Sequence, residues 1–345
     1  MIRFNNDYSE GALPEIIDAL VKTNLTQTSG YGTDEFCDKA REYIKKECNA
    51  PNADVHFLVG GTQTNLVVIS SILRPHQAAL CVSSGHINVH ETGAIEACGH
   101  KVISVPGKDG KITAKEILDT YDNHFSDPDA EHIAQPKLVY ISNSTEYGTI
   151  YTKEELSEIS DACKKCGFYL FLDGARLGYA LTSGRNDLSL SDIASLCDVF
   201  YIGGTKCGAL FGEAVVISNP ALKSDFRCIM KQKGAMLAKG RLLGIQFEEF
   251  FRDGLYFRAC RKANALAEKI HAAFEAKGIS FYIDSPTNQQ FPILTKKQIE
   301  TLSERFVFAD NFGKVDSDGY VCRFCTSWAT SEDAVDTLLA AINEL

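Results

Sequence analysis

Two residues at the ends of apolar segments could carry out chemistry together. The run Phe168–Leu172 has the character of a strand, and the carboxylic acid Asp173 follows it directly. A second strand-like run, Val199–Ile202, leads through two glycines to Lys206. Ligands of open α/β sheets bind beyond the carboxyl ends of the strands, so both side chains are predicted to lie at one binding site. Once its amine is deprotonated, lysine forms imines with carbonyl compounds.

Each of these residues also has an ordinary interpretation. A buried carboxylate is costly without a partner. A protonated pyridine nitrogen is one such partner for Asp173, and the pairing would keep the ring a strong electron sink. Alternatively, Asp173 caps the turn that follows it, and Lys206 is a solvated side chain. The succession of the two residues, each after an apolar strand, favours a shared site.

A third strand-like run ends at Leu58 and is followed by glycines, Thr62 and the start of a helix. Free amides at a helix N-terminus bind phosphate, and Gly61 and Thr62 could supply backbone and hydroxyl donors. The segment is neither a Walker loop nor a GxGxxG motif, because no Gly-Lys-Ser/Thr follows and the glycine spacing differs. Many strand-to-helix turns have this composition, so the signal is weak by itself.

His86, His90 and Glu91 form a fourth group. If this segment is helical, the two histidines share one face and imitate a metal site, although their order is not HExxH. The planar imidazole of His86 could instead stack on a pyridine ring. A structural histidine with satisfied hydrogen bonds is the alternative, so this segment does not indicate a function by itself.

Up to about residue 240, strands and helices alternate. This order indicates βαβ units and a mostly parallel sheet with helices on both faces. Helices are predicted at Phe36–Cys48, from near Thr62 to before Pro75, and from the capping box Thr152–Glu155 to Gly167. The predicted strands are Ala79–Val82, Lys101–Val105, Leu138–Ser142, Phe168–Leu172, Val199–Ile202 and Ala214–Ser218.

After about residue 240 the pattern changes to a long helical stretch followed by short strand-like and helical segments. This pattern predicts a smaller α+β domain. We expect a large domain of residues 1–245, with an N-terminal segment 1–14, and a small domain of residues 246–345. A helix at Gly244–Phe251 is the predicted junction. The small domain is predicted to contain helices at Leu255–Ala276, Lys296–Arg305 and after Ser331, and strands at Ile279–Ile283 and Tyr320–Cys325.

Composition narrows the functional classes. The 345 residues carry a formal net charge of −10, which argues against nucleic-acid binding because that requires a basic footprint. No stretch approaches the roughly 20 apolar residues of a membrane helix, and the N-terminus shows no secretory signal. The 12 scattered cysteines suit a reducing compartment, so the cytoplasm is expected. The pairs Cys163/Cys166 and Cys322/Cys325 lie too far apart for a zinc ribbon, and no metal is expected.

Taken in order, the motifs resemble the low-specificity L-threonine aldolases of the β-eliminating lyase group. That group has the aspartate-aminotransferase-like fold, fold type I of the enzymes that depend on pyridoxal 5'-phosphate (PLP). The resemblance covers nearly the whole chain. It is carried by Asn6-Asp7, Tyr31-Gly32-Thr33-Asp34, Gly61-Thr62-Gln63-Thr64-Asn65, His86 with Glu91 and Gly93, Asp173-Gly174-Ala175-Arg176, Thr205-Lys206, and Arg323 with Thr326.

The resemblance implies a role for each matching residue. Lys206 would hold PLP as a Schiff base, and Asp173 would pair with the pyridine nitrogen. Gly61 and Thr62 would bind the phosphate, while His86 would stack on the ring and handle a proton. Substrate contacts would come from Arg323, which would clamp the carboxylate, and from Asn6, Tyr31 and Arg176; Arg176 would also lie near the phenolic oxygen of the cofactor.

The activity implied by the resemblance is cleavage of L-threonine, L-allo-threonine or another β-hydroxy-α-amino acid to glycine and an aldehyde. A homodimer or homotetramer with the active site at the subunit interface is implied as well. The alternatives are a PLP-dependent β-eliminating lyase of the tryptophanase or cysteine-lyase type, an aminotransferase, and a catalytically silent relative. The joint presence of Lys206, Asp173, Arg176 and Arg323 argues against the last of these.

The chain departs from the family pattern at three places. Asn6-Asp7-Tyr8 replaces Ser-Asp-Thr, and Thr205-Lys206-Cys207-Gly208 replaces Ser-Lys-Gly-Leu. The basic stretch contains Lys231, Gln232 and Lys233, any of which could reach the phosphate of a neighbouring subunit. These differences bear on the substrate more than on the cofactor.

Overall fold

The computed structural model describes residues 1–345. Thirteen strands, numbered in chain order, are β1 (Ile2–Arg3), β2 (Asp54–Leu58), β3 (Gln77–Val82), β4 (Lys101–Val105), β5 (Gln135–Ser142), β6 (Tyr169–Asp173), β7 (Val199–Gly203), β8 (Glu213–Ile217), β9 (Gln289–Gln290), β10 (Ile293–Leu294), β11 (Phe306–Val307), β12 (Tyr320–Val321) and β13 (Phe324–Cys325). Strands β2 to β8 form one sheet, and the others form short pairs.

Fourteen α-helices surround these strands. They are α1 (Pro14–Thr23), α2 (Glu35–Glu47), α3 (Gly61–Ile72), α4 (His86–Val89), α5 (Ala94–Ala97), α6 (Ala114–Phe125), α7 (Lys153–Cys166), α8 (Leu177–Leu181), α9 (Leu190–Leu196), α10 (Phe226–Gln232), α11 (Arg241–Arg252), α12 (Leu255–Ala276), α13 (Lys296–Ser303) and α14 (Glu332–Asn343). None of them combines the length and hydrophobicity needed to cross a membrane.

The large sheet has the order β2-β8-β7-β6-β5-β3-β4. Strand β8 is antiparallel to both of its neighbours, and the other pairs are parallel. Six strands therefore point in one direction, and their carboxyl ends meet along one edge. That edge is where an open α/β sheet binds its ligands.

Successive residues of the strands face opposite sides of the sheet, and both sides are buried. Val139 and Ile141 belong to a cluster of 44 buried apolar residues on one face. Leu138 and Tyr140 belong to a cluster of 20 on the other face. Continuous apolar runs are typical of strands covered on both faces, which explains why these strands do not alternate between apolar and polar residues.

The C-terminal part has a core of its own, a cluster of 14 buried apolar residues that includes side chains of α12 and α14. Phe4 of the N-terminal segment also belongs to this cluster, and β1 pairs with β11. The predicted division between residues 245 and 246 falls within α11, and it stays a prediction.

Most predicted elements are confirmed to within a few residues. Helix α7 shows why, because Thr152 and Glu155 form the reciprocal capping box and Gly167 ends the helix with a φ of +66°. Helix α12 matches its predicted bounds, and α2, α3, α11, α13 and α14 lie where helices were expected. The six predicted strands correspond to β3, β4, β5, β6, β7 and β8.

One predicted strand of the small domain is wrong, and another is confirmed but interrupted. Residues 279–283 form only a single bridge, Phe281 to Pro292, because Ile279 donates its amide back to Phe274 and completes the end of α12. The segment Tyr320–Cys325 is divided into β12 and β13. Its partner strands are interrupted at Pro292, which has no amide hydrogen to donate to the ladder.

Candidate functional site

Asp173 and Lys206, the two residues predicted to act together, both lie at the carboxyl edge of the large sheet. Asp173 is the last residue of β6, and Lys206 lies in a short 3₁₀ turn, Thr205–Cys207, directly after β7. Strands β6 and β7 are neighbours. The turn after β6 also touches the end of β7, because Gly203 donates its amide to the carbonyl of Gly174.

Asp173 is buried and accepts four hydrogen bonds. Oδ2 accepts from the Tyr140 hydroxyl at 2.5 Å and from Asn65 Nδ2 at 3.0 Å. Oδ1 accepts from the Tyr201 hydroxyl at 2.5 Å and from the amide of Ala175 at 2.9 Å. No cation forms an ion pair with it. Four donors that converge on two oxygens suit an ionised carboxylate, which can only accept.

Lys206 is a partly buried amine without a partner for its Nζ. Burial lowers the pKa of Lys206, and the positive charge of Arg176 lowers it further. The carboxyl groups of Asp7, Asp173 and Glu213 act in the opposite direction. The net effect is a lysine that loses its proton more readily than an exposed one, as nucleophilic attack on a carbonyl requires.

Arg176 is already paired within the chain. Its Nε donates to Asp7 Oδ2 at 2.8 Å, and its Nη2 donates to Asp7 Oδ1 at 3.0 Å. Burial alone would raise the pKa of Asp7, but Arg176, Lys206 and hydrogen bonds from Arg176 and Asn288 lower it to about 2. The guanidinium charge of Arg176 is therefore balanced before any ligand arrives.

Arg323, in contrast, has no carboxylate partner. Its Nη2 donates to the carbonyl of Asn5 at 2.8 Å, and its Nη1 donates to Gln289 Oε1 at 3.2 Å. Its Nε is buried without a partner, and its guanidinium lies 4.8 Å from the ring centre of Phe312. Burial lowers the pKa of Arg323, although a guanidinium stays charged. A half-buried cation without a carboxylate partner is suited to bind an anion.

His86 is joined to Asp173 through two intermediate side chains. Its Nδ1 lies 2.6 Å from Glu91 Oε1, which also accepts from Asn65 Nδ2 at 2.7 Å. The same Asn65 nitrogen donates to Asp173. Because an ionised glutamate only accepts, it favours the tautomer of His86 with the proton on Nδ1 and a lone pair on Nε2.

His86 and His90 were expected to share a face if their segment were helical, and the amide of His90 donates to the carbonyl of His86 at 2.9 Å, as in a helix. Helix α4 ends at Val89, one residue before His90. The two imidazole rings are tilted by 55°, with their centres 5.5 Å apart. His86 begins this helix, and its backbone amide donates to Glu146 Oε1 at 3.0 Å.

Gly61 and Thr62 begin α3 as predicted. The preceding residue, Gly60, provides no side-chain cap, so the first amides of the helix are free to donate to an anion. A Cβ atom on Gly61 would come 3.2 Å from the hydroxyl of Tyr201, a residue that contacts Asp173. The N-terminus of α3 therefore lies beside the Asp173 group.

Asn6 and Tyr31 are not drawn into this group by side-chain contacts. Asn6 Oδ1 accepts from the amide of Tyr8 and the hydroxyl of Ser9, so it shapes a local turn. Tyr31 is exposed, its carbonyl accepts from Arg227, and the Nζ of Lys231 lies 4.6 Å from the centre of its ring. Neither residue forms a hydrogen bond with Lys206, with Asp173 or with the side chains that bind Asp173.

Several site residues were not assigned from the sequence. Asp7, Asn65 and Glu91 stand inside the recognised motifs, and their position there was the available signal. Tyr140 and Tyr201 are hydroxyl-bearing residues within otherwise apolar strands, which signals a buried polar partner. Glu213 had no sequence signal beyond its position at the start of β8.

A family model described as "Beta-eliminating lyase" matches residues 7–288. A relative with similarity over nearly the whole chain is the low-specificity L-threonine aldolase of Pseudomonas sp. (strain NCIMB 10558). It is 29% identical over 352 residues, which cover 99% of this chain and 96% of the relative.

Solved structures agree with this similarity. That of Leishmania major threonine aldolase has a TM-score of 0.96 at 47% identity, covering 100% of this chain and 99% of that one. Cystalysin from Treponema denticola, whose structure contains PLP, has a TM-score of 0.72 at 16% identity over 100% and 90% of the two chains. The latter likeness concerns the fold alone, and together they confirm the predicted fold class.

Proposed function

This chain belongs to the beta-eliminating lyase family, and we propose that it is a PLP-dependent aldolase. Its substrate is L-threonine, L-allo-threonine or another β-hydroxy-α-amino acid, and its products are glycine and an aldehyde. One observation carries the proposal: Lys206, an amine with a lowered pKa and no partner, lies on the edge of the sheet that holds Asp173.

The donors of the site fit PLP. Lys206 would bind its aldehyde, the free amides of Gly61 and Thr62 its phosphate, and Asp173 its pyridine nitrogen. All four acceptor positions of Asp173 are used within the chain, so one donor must give way. Asn65 is suited to do so, since its amide keeps a hydrogen bond to Glu91. His86 would cover one ring face, and Arg176 would lie near the phenolic oxygen.

Bound PLP supplies an electron sink for the electrons released at the substrate Cα. Arg323 is suited to bind the substrate carboxylate, because its charge is unpaired and its guanidinium offers a planar pair of donors. Fixing that carboxylate orients the Cα–Cβ bond, and this orientation determines which bond is broken. The Asp7–Arg176 pair cannot take this role while its charges satisfy each other.

His86 is suited to accept the proton of the β-hydroxyl group when the Cα–Cβ bond breaks. Glu91 holds the proton on Nδ1, which leaves the lone pair of Nε2 for the substrate or for a bound water. Asn65 fixes Glu91 and thereby the ring orientation. The same imidazole can return the proton in the reverse direction.

We also propose that the active site is completed in a homodimer or homotetramer. Helix α1 and the turn after it expose an apolar strip at helical spacing, Ile17, Val21 and Leu25, of which Leu25 is 91% exposed. Tyr31 and one of the residues Lys231, Gln232 and Lys233 would then reach the site of the partner chain. A cytoplasmic location is proposed from the 12 free cysteines.

The activity is tested by incubating the purified, PLP-loaded protein with L-threonine and L-allo-threonine. We expect glycine and acetaldehyde in equal amounts, without added keto acid. A keto acid with ammonia would indicate an eliminating lyase, and a requirement for added keto acid would indicate an aminotransferase. A colourless protein that turns over neither substrate would contradict the proposal.

A further inference from the structure

Glu213 is a buried carboxyl group that forms no ion pair. It is the first residue of β8, and only 3% of it is exposed. A carboxyl group is rarely buried without a cation, since desolvation of its charge is costly. Neither the family resemblance nor the aldol chemistry above assigns it a role, so its position requires an explanation.

Both oxygens of Glu213 bind the segment that leads into Lys206. Oε2 accepts from the amide of Gly204 at 2.9 Å, and Oε1 accepts from the hydroxyl of Thr205 at 2.9 Å. That hydroxyl accepts in turn from the amide of Gly212 at 3.0 Å. The two residues preceding the lysine are therefore tied to the start of β8 by side-chain bonds.

The backbone reinforces this attachment. The amides of Gly204 and Thr205 both donate to the carbonyl of Gly212, at 2.9 and 3.1 Å. A Cβ atom on Gly203 would come 2.4 Å from the carbonyl oxygen of Ala175, in the turn that follows Asp173. The turn that presents Lys206 is thus held between β8 and the Asp173 turn, with little room to shift.

Glu213 also affects Lys206 electrostatically. Burial raises the pKa of Glu213 to about 8, against the effect of its two hydrogen bonds and of Lys206, and Asp173 adds to the rise. The pKa of the neighbouring Tyr201 hydroxyl is raised by burial first, then by Asp173 and Glu213. Burial and the positive charge of Arg176 lower the pKa of Lys206, whereas the carboxyl groups of Asp7, Asp173 and Glu213 raise it.

We propose that Glu213 is a positioning residue for Lys206: its two hydrogen bonds hold the turn that presents the amine, and its carboxyl group acts on the charge of that amine. The basicity of the lysine nitrogen joined to the cofactor then depends on residue 213. This inference rests on the proposed function, because it requires a cofactor bound to Lys206. It adds a residue that acts through the lysine and does not contact the reacting atoms.

The test is a pH titration of the visible absorbance of PLP-loaded protein, for the wild type and for Glu213→Gln. Glutamine keeps the size and one accepting oxygen but cannot become negative. We expect the midpoint for loss of the lysine-bound proton to fall by about one pH unit in Glu213→Gln. The wild-type curve should also be broader than a single-proton curve, because the two groups titrate together.

Two further variants separate charge from shape. Glu213→Asp keeps a carboxyl group and should keep a midpoint near that of the wild type. Thr205→Val removes both hydrogen bonds of the Thr205 hydroxyl but keeps the carboxyl group of Glu213, so it should weaken PLP binding and shift the midpoint by clearly less than Glu213→Gln does.

The outcomes distinguish the two proposals. If the wild type shows no absorbance from a lysine-bound cofactor, the proposed function itself fails. If the wild type titrates but Glu213→Gln has the same midpoint, only the role of Glu213 is overturned. A shift of equal size in Thr205→Val would also overturn it, because the effect would then come from the shape of the turn.

Discussion

Asp7 and Arg176, which are 169 positions apart in the sequence, form a bidentate ion pair in the interior of the protein. The pair joins the N-terminal segment to the turn after β6. Asn288 of the C-terminal part donates at 2.9 Å to Asp7 Oδ2, the oxygen that also accepts from Arg176 Nε. Three separate parts of the chain therefore meet at one carboxylate, and Arg323 is left as the arginine available to a substrate carboxylate.

The first prediction concerns the stability that this pair provides. Asp7→Asn removes the charge and leaves the Arg176 guanidinium buried and uncompensated, which costs about 3–5 kcal/mol. We expect a large fall in the urea midpoint of unfolding. The matched control is Asp284→Asn, which breaks the exposed bidentate ion pair with Arg185 and should cost at most about 1 kcal/mol. Equal shifts in the two variants would contradict the prediction.

The second prediction is a pH dependence of stability. The pKa of Asp7 falls from its usual 3.8 to about 2 on folding, so the folded state binds the proton less readily than the unfolded state. The stabilisation is complete above about pH 4 and is lost as the pH falls through about 2. Unfolding midpoints measured across this range should decrease more for the wild type than for Asp7→Asn. Parallel curves would argue against a depressed pKa at Asp7.

The third prediction concerns the orientation of His86. Glu91→Gln places an amide beside Nδ1, and the amide can donate there, which moves the ring proton to Nε2. The lone pair proposed to accept the substrate proton is then lost, so kcat should fall roughly 10²-fold or more with little change in KM. The control, Glu96→Gln, changes an exposed glutamate on the following helix. A Glu91→Gln enzyme with normal kcat would exclude this role for His86.

The fourth prediction concerns the substrate carboxylate. Arg323→Lys keeps a positive charge but loses the planar pair of donors, so KM for threonine should rise roughly 10- to 100-fold. The change in kcat should be smaller. Arg305→Lys provides the comparison, because Arg305 is an exposed arginine of the same part of the chain. An unchanged KM in Arg323→Lys would mean that another group binds the carboxylate.

The local features of the fold were predictable from the sequence because they depend on neighbouring residues. Thr152, Glu155 and Gly167 determine both ends of α7 through contacts within a few positions. Asp173 and Lys206 were identified for a similar reason, since each follows a recognisable apolar strand. Their meeting at one edge followed from the geometry of parallel sheets.

Contacts between distant segments were not predictable in this way. Nothing in the residues around Asp7 indicates Arg176 as its partner, and nothing around Glu213 indicates that its side chain reaches Thr205. The bridge from Asn65 to Glu91 and Asp173 likewise depends on where α3 lies relative to the end of β6. The division of the predicted strand at Tyr320–Cys325 depends on Pro292 in a different segment.

The attachment of the cofactor to Lys206 is the central claim, and it can be measured directly. Purified wild-type protein should be yellow, and borohydride followed by peptide mass analysis should place the reduced cofactor on Lys206. Lys206→Ala should fold, should lack the yellow form, and should yield no labelled peptide. A Lys206→Ala protein that stays yellow and is labelled at another lysine after borohydride treatment would contradict the account.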